Sequence, residues 1–224
     1  MKKYNSNNNF YSLISNLFNI DDLSELHKYE PVYAASEGIE GLGNDTHSFY
    51  HNLFYNALND NWRPFVDEYK SFIRTNVLSK FQNEKTLIYQ ALPSFRIQYP
   101  NAKAVTTIHC DSDKNHKHPL GELNILVPVT EMIDSSTIWV ESLPNLGDFS
   151  PINLCQNEWI LWNGNRCRHF NKINKSGKTR ISLDFRVLPN ACYDPEYSLQ
   201  TATTKKKFVI GEYYSAMERE CINL

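Results

Sequence analysis

The stretch VTTIHCDSDKNHKHPLGELN, residues 105–124, places three histidines and two aspartates within ten positions, His109 to His118. Imidazole nitrogens and carboxylate oxygens crowded in this way are donors that transition metals take. Two ligand sets compete for the role. One is His109-x-Asp111, an imidazole and a carboxylate that share one side if they close a strand, and that need a third ligand from elsewhere. The other is His116-x-His118-x3-Glu122, nearly complete in itself.

Sixty positions beyond His109, the run ILWNGNRCRHFNKINKSGKTRISLDFRV carries His169 after a Gly/Asn turn, and Arg180-x-Ser182 follows eleven residues later. His-x-Asp with a distant histidine makes a two-histidine, one-carboxylate triad. Such a triad covers one face of Fe(II) and leaves the other positions open for a cosubstrate and O₂. A guanidinium fork beside a hydroxyl, Arg180 with Ser182, suits two-point capture of a carboxylate. Each part alone is common in chains of this length: a polar strand end, a surface ion pair, a strand hydroxyl. Their order and spacing as a set are not. The rival set sits in a Pro/Gly-containing connection, and nothing downstream supplies a matching second half.

The elements that must position these groups follow from texture. The start, KKYNSNNN, is polar enough to predict disorder, and Phe10, Leu13, Ile14, Leu17 and Phe18 form a helical stripe after it. Residues 31–46 carry three glycines and a proline and read as a loop. From Ser48 to Phe81 apolar residues recur at helical spacing, with Asn61 a possible cap and Pro64 near a first turn. After residue 85 the pattern turns to short β-favouring runs: TLIYQAL, SFRIQY, AVTTIH, LNILVPVT, STIWVES, EWILWNG, TRISLDFRVL and KFVIGEYY. Pro/Gly/Asn/Asp clusters separate them. One domain is expected over 1–224, with mainly helical support in 1–84 and a β-sandwich or barrel in 85–214.

Composition removes several function classes. The formal net charge of −2 favours neither nucleic acid nor anionic membrane as a partner, and Lys205–Lys207 is too short a basic run to argue otherwise. No apolar run approaches the roughly 20 residues that span a bilayer. The N-terminus lacks the continuous apolar segment of a signal peptide. Five cysteines (110, 155, 167, 192 and 221) without a CxxC pair point to reduced thiols, so a soluble cytoplasmic protein is expected.

The motifs HCD, RHF and TRIS, in that order, resemble those of the Fe(II)/2-oxoglutarate-dependent oxygenases, and within them the branch of streptomycin-biosynthesis StrG-type proteins. Likeness extends over residues 92–214 through LPSFRIQYP, HCDSDKNH, GELNILVPVT, TIWVES, GDFSP, HFNKINKSGKTRISLDFRV and FVIGEYY, and the run from His169 to Val187 is the most specific. The resemblance implies a double-stranded β-helix, a jelly roll of the cupin type, behind an α-helical N-terminal segment. It implies His109, Asp111 and His169 as iron ligands, with Arg180 and Ser182 holding the distal carboxylate of 2-oxoglutarate. O₂ would be the oxidant. The presence of Asp111 implies hydroxylation, or an oxidation such as desaturation, rather than halogenation.

Substrate is read from polar residues at strand positions. Arg96, Gln98, Glu122, Asn124, Glu141 and Arg186 are candidates to face a cavity, since charged groups inside a barrel are costly unless paired or used. They suit a small polar substrate: an amino acid, an amino sugar or a nucleoside-like metabolite. Trp139 and Trp162 read as core. Two other classes remain open, a cupin-type sugar isomerase or epimerase built on His116, His118 and Glu122, and a non-catalytic β-barrel binding protein. Nothing in the sequence specifies an oligomer.

Overall fold

The structure, a computed structural model, describes residues 1–30, 48–104, 107–202 and 204–219. The expected loop at 31–46 lies outside them, as do positions 105 and 106 of the run AVTTIH and Cys221.

The strand β9, Arg180–Pro189, organises the molecule. Its residues alternate strictly: Arg180, Ser182, Asp184 and Arg186 to one side, Ile181, Leu183, Phe185 and Val187 to the other. On one edge it pairs with β4 (Leu123–Pro128), in register from Leu123↔Val187 to Pro128↔Ser182. On the other edge its first half pairs with β3 (Ser94–Gln98) and its second half with β2 (Thr86–Gln90). Further out, β7 (Glu158–Trp162) pairs with β4, β1 (Lys3–Asn5) with β7, and β10 (Tyr214–Glu218) with β2. A smaller sheet joins β5 (Ile138–Val140) to β6 (Ser150–Pro151) and β8 (His169–Asn171). All pairings within the two sheets are antiparallel, so the protein is mainly β with a few helices.

Three helices, α1 (Phe10–Phe18), α2 (Phe49–Asn59) and α3 (Arg63–Phe72), cover the apolar face of the larger sheet. Phe54 of α2 stacks on Phe95 of β3 with ring centroids 4.0 Å apart, and Phe72 of α3 meets Phe185 of β9 edge-on. The opposite face is apolar where neighbours pack on it. Leu126, Ile160 and Trp162 meet Val140 of the smaller sheet and Ile152 just beyond it, and Ile88 and Leu188 meet Phe208 and Tyr214. Along β9 and β3 the same face is polar. Among the described residues no helix is long and apolar enough to cross a membrane.

Four expectations change. The N-terminal start is not disordered: Lys3–Asn5 pairs with Glu158–Ile160, and Tyr4, the one large ring in the polar run, stacks on Trp159 at 4.8 Å. Asn61 is not a cap; it sits between α2 and α3 at φ +63°, while Ser48 caps α2 by accepting from His51 N–H. Pro64 does lie in the first turn of α3. The run AVTTIH forms no strand among its described residues, and His109 makes only an isolated bridge. KFVIGEYY turns at Gly211, at φ +95°, so extended structure begins at Tyr214 and reaches Glu218, beyond the expected boundary. Ser48→Ala should destabilise the fold by about 1 kcal/mol, read as a lowered urea midpoint.

Candidate functional site

His109 and His169 meet through a two-way backbone bridge: His109 N–H donates to His169 O at 3.2 Å, and His169 N–H to His109 O at 2.8 Å. Their rings lie 4.3 Å apart, centroid to centroid. Each Nδ1 lies on a carbonyl two residues earlier, His109 on Thr107 O (2.8 Å) and His169 on Cys167 O (3.0 Å). A carbonyl only accepts, so each Nδ1 carries the hydrogen and each Nε2 keeps its lone pair. Burial pushes both imidazoles toward the neutral form. The His109 pKa falls to about 4, with His169 beside it adding to the effect, and that of His169 is also lowered.

Asp111 follows His109 not along a strand but along the turn before His169, where its N–H donates to Gly164 O at 2.9 Å. Its Oδ2 accepts from Asn124 Nδ2 (2.8 Å) and from Arg186 Nε and Nη2 (3.1 and 2.9 Å). Its Oδ1 faces His169 Nε2 at 3.6 Å. Burial alone would raise this carboxyl, but the Arg186 guanidinium, helped by the Asn124 amide, outweighs it and holds it well below the usual carboxylate range. One atom from each of His109, Asp111 and His169 lies within 4.8 Å of the others, close enough to share one metal ion. Two neutral imidazoles and one carboxylate oxygen form a donor set suited to a divalent transition metal.

Register explains what surrounds them. Asn124 pairs with Arg186 and with Trp162, and Arg96 with Ser182, so these groups share the polar face of β9. Arg180 Nη1 donates to Ser182 Oγ and Nη2 to Gln98 Oε1, each at 3.2 Å. Arg180 and Ser182, with His109 and His169, line a small cavity of about 60 Å³. A larger one of about 510 Å³ opens beyond Asp111 toward Gln90, His116, His118 and Tyr213. His109, Arg96 and Arg186 border both.

The candidate residues therefore divide. Arg96 pairs with Asp184 (Nε to Oδ2, 2.9 Å), Asn124 and Arg186 clamp Asp111, and all three line a cavity. Gln98 is fully buried and reaches the site only through Arg180, its amide otherwise donating to Ala102 O and Lys172 O. Glu122 lines neither cavity and bonds His118 and Tyr214. Glu141 is removed altogether: Arg168 and the N–H groups of Asn145 and Gly147 take up its carboxylate and fold the loop after β5 onto it. Nor do His116, His118 and Glu122 come together as a metal group among the described residues: His116 turns its Nδ1 to Asp113 and His118 its Nδ1 to Glu122. Trp162 is core at one face but meets His169 edge-on at 4.9 Å and walls the small cavity.

Asp184 escaped the sequence reading. It sits between Arg96 and Arg186 and joins them to Asp111 in one largely buried chain of charges. The signal was present: it falls on the same alternation as Arg180, Ser182 and Arg186. Gly164 is a second unread position, because a Cβ there would lie 2.8 Å from the Asn124 amide. Gly164→Ala should displace Asn124 from Asp111. The expected result is a loss of roughly 1–3 kcal/mol in stability and at least about a tenfold loss in metal affinity, read by denaturation and metal titration.

No family model matches the chain. The streptomycin biosynthesis protein StrG of Streptomyces griseus is 30% identical over 185 residues, 82% of this chain and 84% of that protein. Among solved structures the chain is similar to AviO1 from Streptomyces viridochromogenes Tue57 (TM-score 0.46, 10% identity, 86% of this chain and 91% of that one). It is also similar to the non-heme monooxygenase ThoJ in its nickel complex (TM-score 0.44, 9% identity, 97% of this chain and 84% of that one). HygX from Streptomyces hygroscopicus, solved with nickel, 2-oxoglutarate and hygromycin B, is a third (TM-score 0.39, 11% identity, 54% of this chain and 64% of that one). With the StrG relative matched over most of both lengths, the chain belongs to the family of the streptomycin biosynthesis protein StrG.

Proposed function

We propose that this protein is a non-haem Fe(II)- and 2-oxoglutarate-dependent oxygenase that hydroxylates a small polar metabolite. We read its two sheets as the halves of a double-stranded β-helix within a single domain of 1–224. The observation that carries the reading is the junction of the two cavities at the His109–Asp111–His169 group, with Arg180 and Ser182 in the smaller one. Iron with bound 2-oxoglutarate would supply oxidative decarboxylation by O₂, one oxygen atom going to succinate and the other to the substrate, with release of CO₂.

The protein's own part is positional. His109 Nε2, His169 Nε2 and Asp111 Oδ1 would hold the metal, while Asn124 and Arg186 occupy Asp111 Oδ2 and leave a single carboxylate oxygen to bind. Arg180 and Ser182 would grip the far carboxylate of the keto acid through charge-assisted bonds, with Gln98 setting the guanidinium plane. Leu126, Ile138 and Trp162 make the apolar part of the small cavity and exclude water from it. Substrate would enter the larger cavity, whose wall of amides, hydroxyls and imidazoles suits a hydrogen-bonding molecule better than a lipid. StrG belongs to streptomycin biosynthesis, which supports a place in the making of a small natural product.

Anaerobic titration of the Fe(II)-loaded protein with 2-oxoglutarate tests the reading. A visible charge-transfer band is expected in the wild type and none in His169→Ala. A wild type that binds neither ligand sinks the assignment.

A further inference from the structure

The histidine set rejected as a metal site has a different use. His118 N–H donates to Asp111 O at 3.0 Å, so its ring is tied beside a residue of the candidate metal group. Its Nδ1 lies 2.7 Å from Glu122 Oε2, and the Glu122 side chain is fully buried, its other oxygen taken by the Tyr214 hydroxyl. Phe208 and Tyr213 pack on the imidazole at 4.7 and 5.7 Å between centroids. Four contacts thus fix one ring, while it borders the 510 Å³ cavity and its Nε2 has no hydrogen-bond partner among the described residues. A purely structural histidine would have both nitrogens satisfied or one in bulk water. This one is oriented by a buried carboxylate, borders a chamber and has a second nitrogen left to bond.

The cavity says what it meets. Arg96 and Arg186 on its wall are already paired, with Asp184 and with Asp111 and Asp184 respectively. Lys206 and Glu212 add one charge of each sign, and much of the rest is neutral and hydrogen-bonding, including Asn59, Ser94, Thr201 and Thr204. A hydroxyl group matches such surroundings, because it donates or accepts according to which its partner needs. We propose that His118, positioned by Glu122, binds a hydroxyl of a polyhydroxylated substrate through Nε2 and so determines specificity. This rests on the reading of the larger cavity as the substrate chamber.

The test is ¹⁵N NMR of the histidine nitrogens in the full-length protein, loaded with redox-inert Zn(II) and 2-oxoglutarate and titrated with myo-inositol, glucosamine and adenosine. At least one probe at millimolar concentration should shift His118 Nε2. His118→Phe, which keeps a ring against Phe208 and Tyr213, should weaken that probe tenfold or more while leaving Zn(II) affinity unchanged. Glu122→Gln should lose the single Nδ1–H tautomer signature and weaken the same probe, an effect that a merely structural Glu122 would not produce at unchanged thermal stability. Unchanged probe affinity in His118→Phe, or no probe perturbing the His118 resonance, overturns the proposal. Failure of Zn(II) and 2-oxoglutarate to bind would overturn the oxygenase reading instead. A probe effect on His118 in the metal-free protein would then still uphold this one.

Discussion

Asp111→Ala should lose metal binding and stability together. Removing a group that merely supports a ligand lowers metal affinity roughly 10–100-fold, and here the proposed anionic ligand itself is deleted along with the bonds from Asn124 and Arg186. A loss beyond about a hundredfold is therefore expected, and O₂-dependent succinate formation should fall to background. The same change strips a buried cation of one partner. Breaking a buried ion pair from one side costs about 3–5 kcal/mol, and because Arg186 keeps Asp184, the lower end applies. Co(II) titration followed by its visible spectrum reads the first effect, and urea denaturation of the metal-free protein reads the second. Wild-type Co(II) affinity in Asp111→Ala would remove this carboxylate from the metal site.

Arg180→Ala should leave metal affinity near that of wild type and abolish tight binding of 2-oxoglutarate. Arg180 is buried and its fork is fixed by Ser182 and Gln98, so little side-chain freedom remains to be lost when a carboxylate arrives. Hydrogen bonds to charged groups contribute about 1.5–3 kcal/mol each, so losing two weakens binding at least about a hundredfold. Arg180→Lys should recover only part of this, because a point charge does not reproduce a planar fork. Ser182→Ala, which removes one neutral partner, should have a smaller effect. Calorimetric titration of the metal-loaded variants with 2-oxoglutarate measures all three. Normal affinity in Arg180→Ala would exclude Arg180 as the anchor.

These predictions draw unequally on what the sequence disclosed. Alternation in RISLDFRV was legible, and with it the placing of Arg180 and Ser182 on the face opposite Ile181, Leu183 and Phe185. The stripes that became α1, α2 and α3 were legible too, because burying one face of a helix requires the same spacing wherever the helix lies. The described residues of AVTTIH and the first part of KFVIGEYY form no strand, since β-favouring residues report what a strand would accept and not whether a partner edge exists. Glu141 misled for a related reason. It lies just past the end of β5, out of step with Ile138 and Val140, which face the cavity and the core, and the next loop folds back and supplies its hydrogen bonds.

The sequence by itself determined which residue types face which side of each strand and helix, because side-chain direction repeats with the backbone period. Only the tertiary structure decided which of those groups still have a free valence. The bridge that joins His109 to His169 brings two rings beside Asp111 Oδ1, each with Nδ1 on a carbonyl and Nε2 open, whereas His116 and His118 turn to different carboxylates, Asp113 and Glu122, and converge on no such group among the described residues. Ligand capacity depends on what the other atoms of a side chain already bond, and those partners come from segments far apart in the chain.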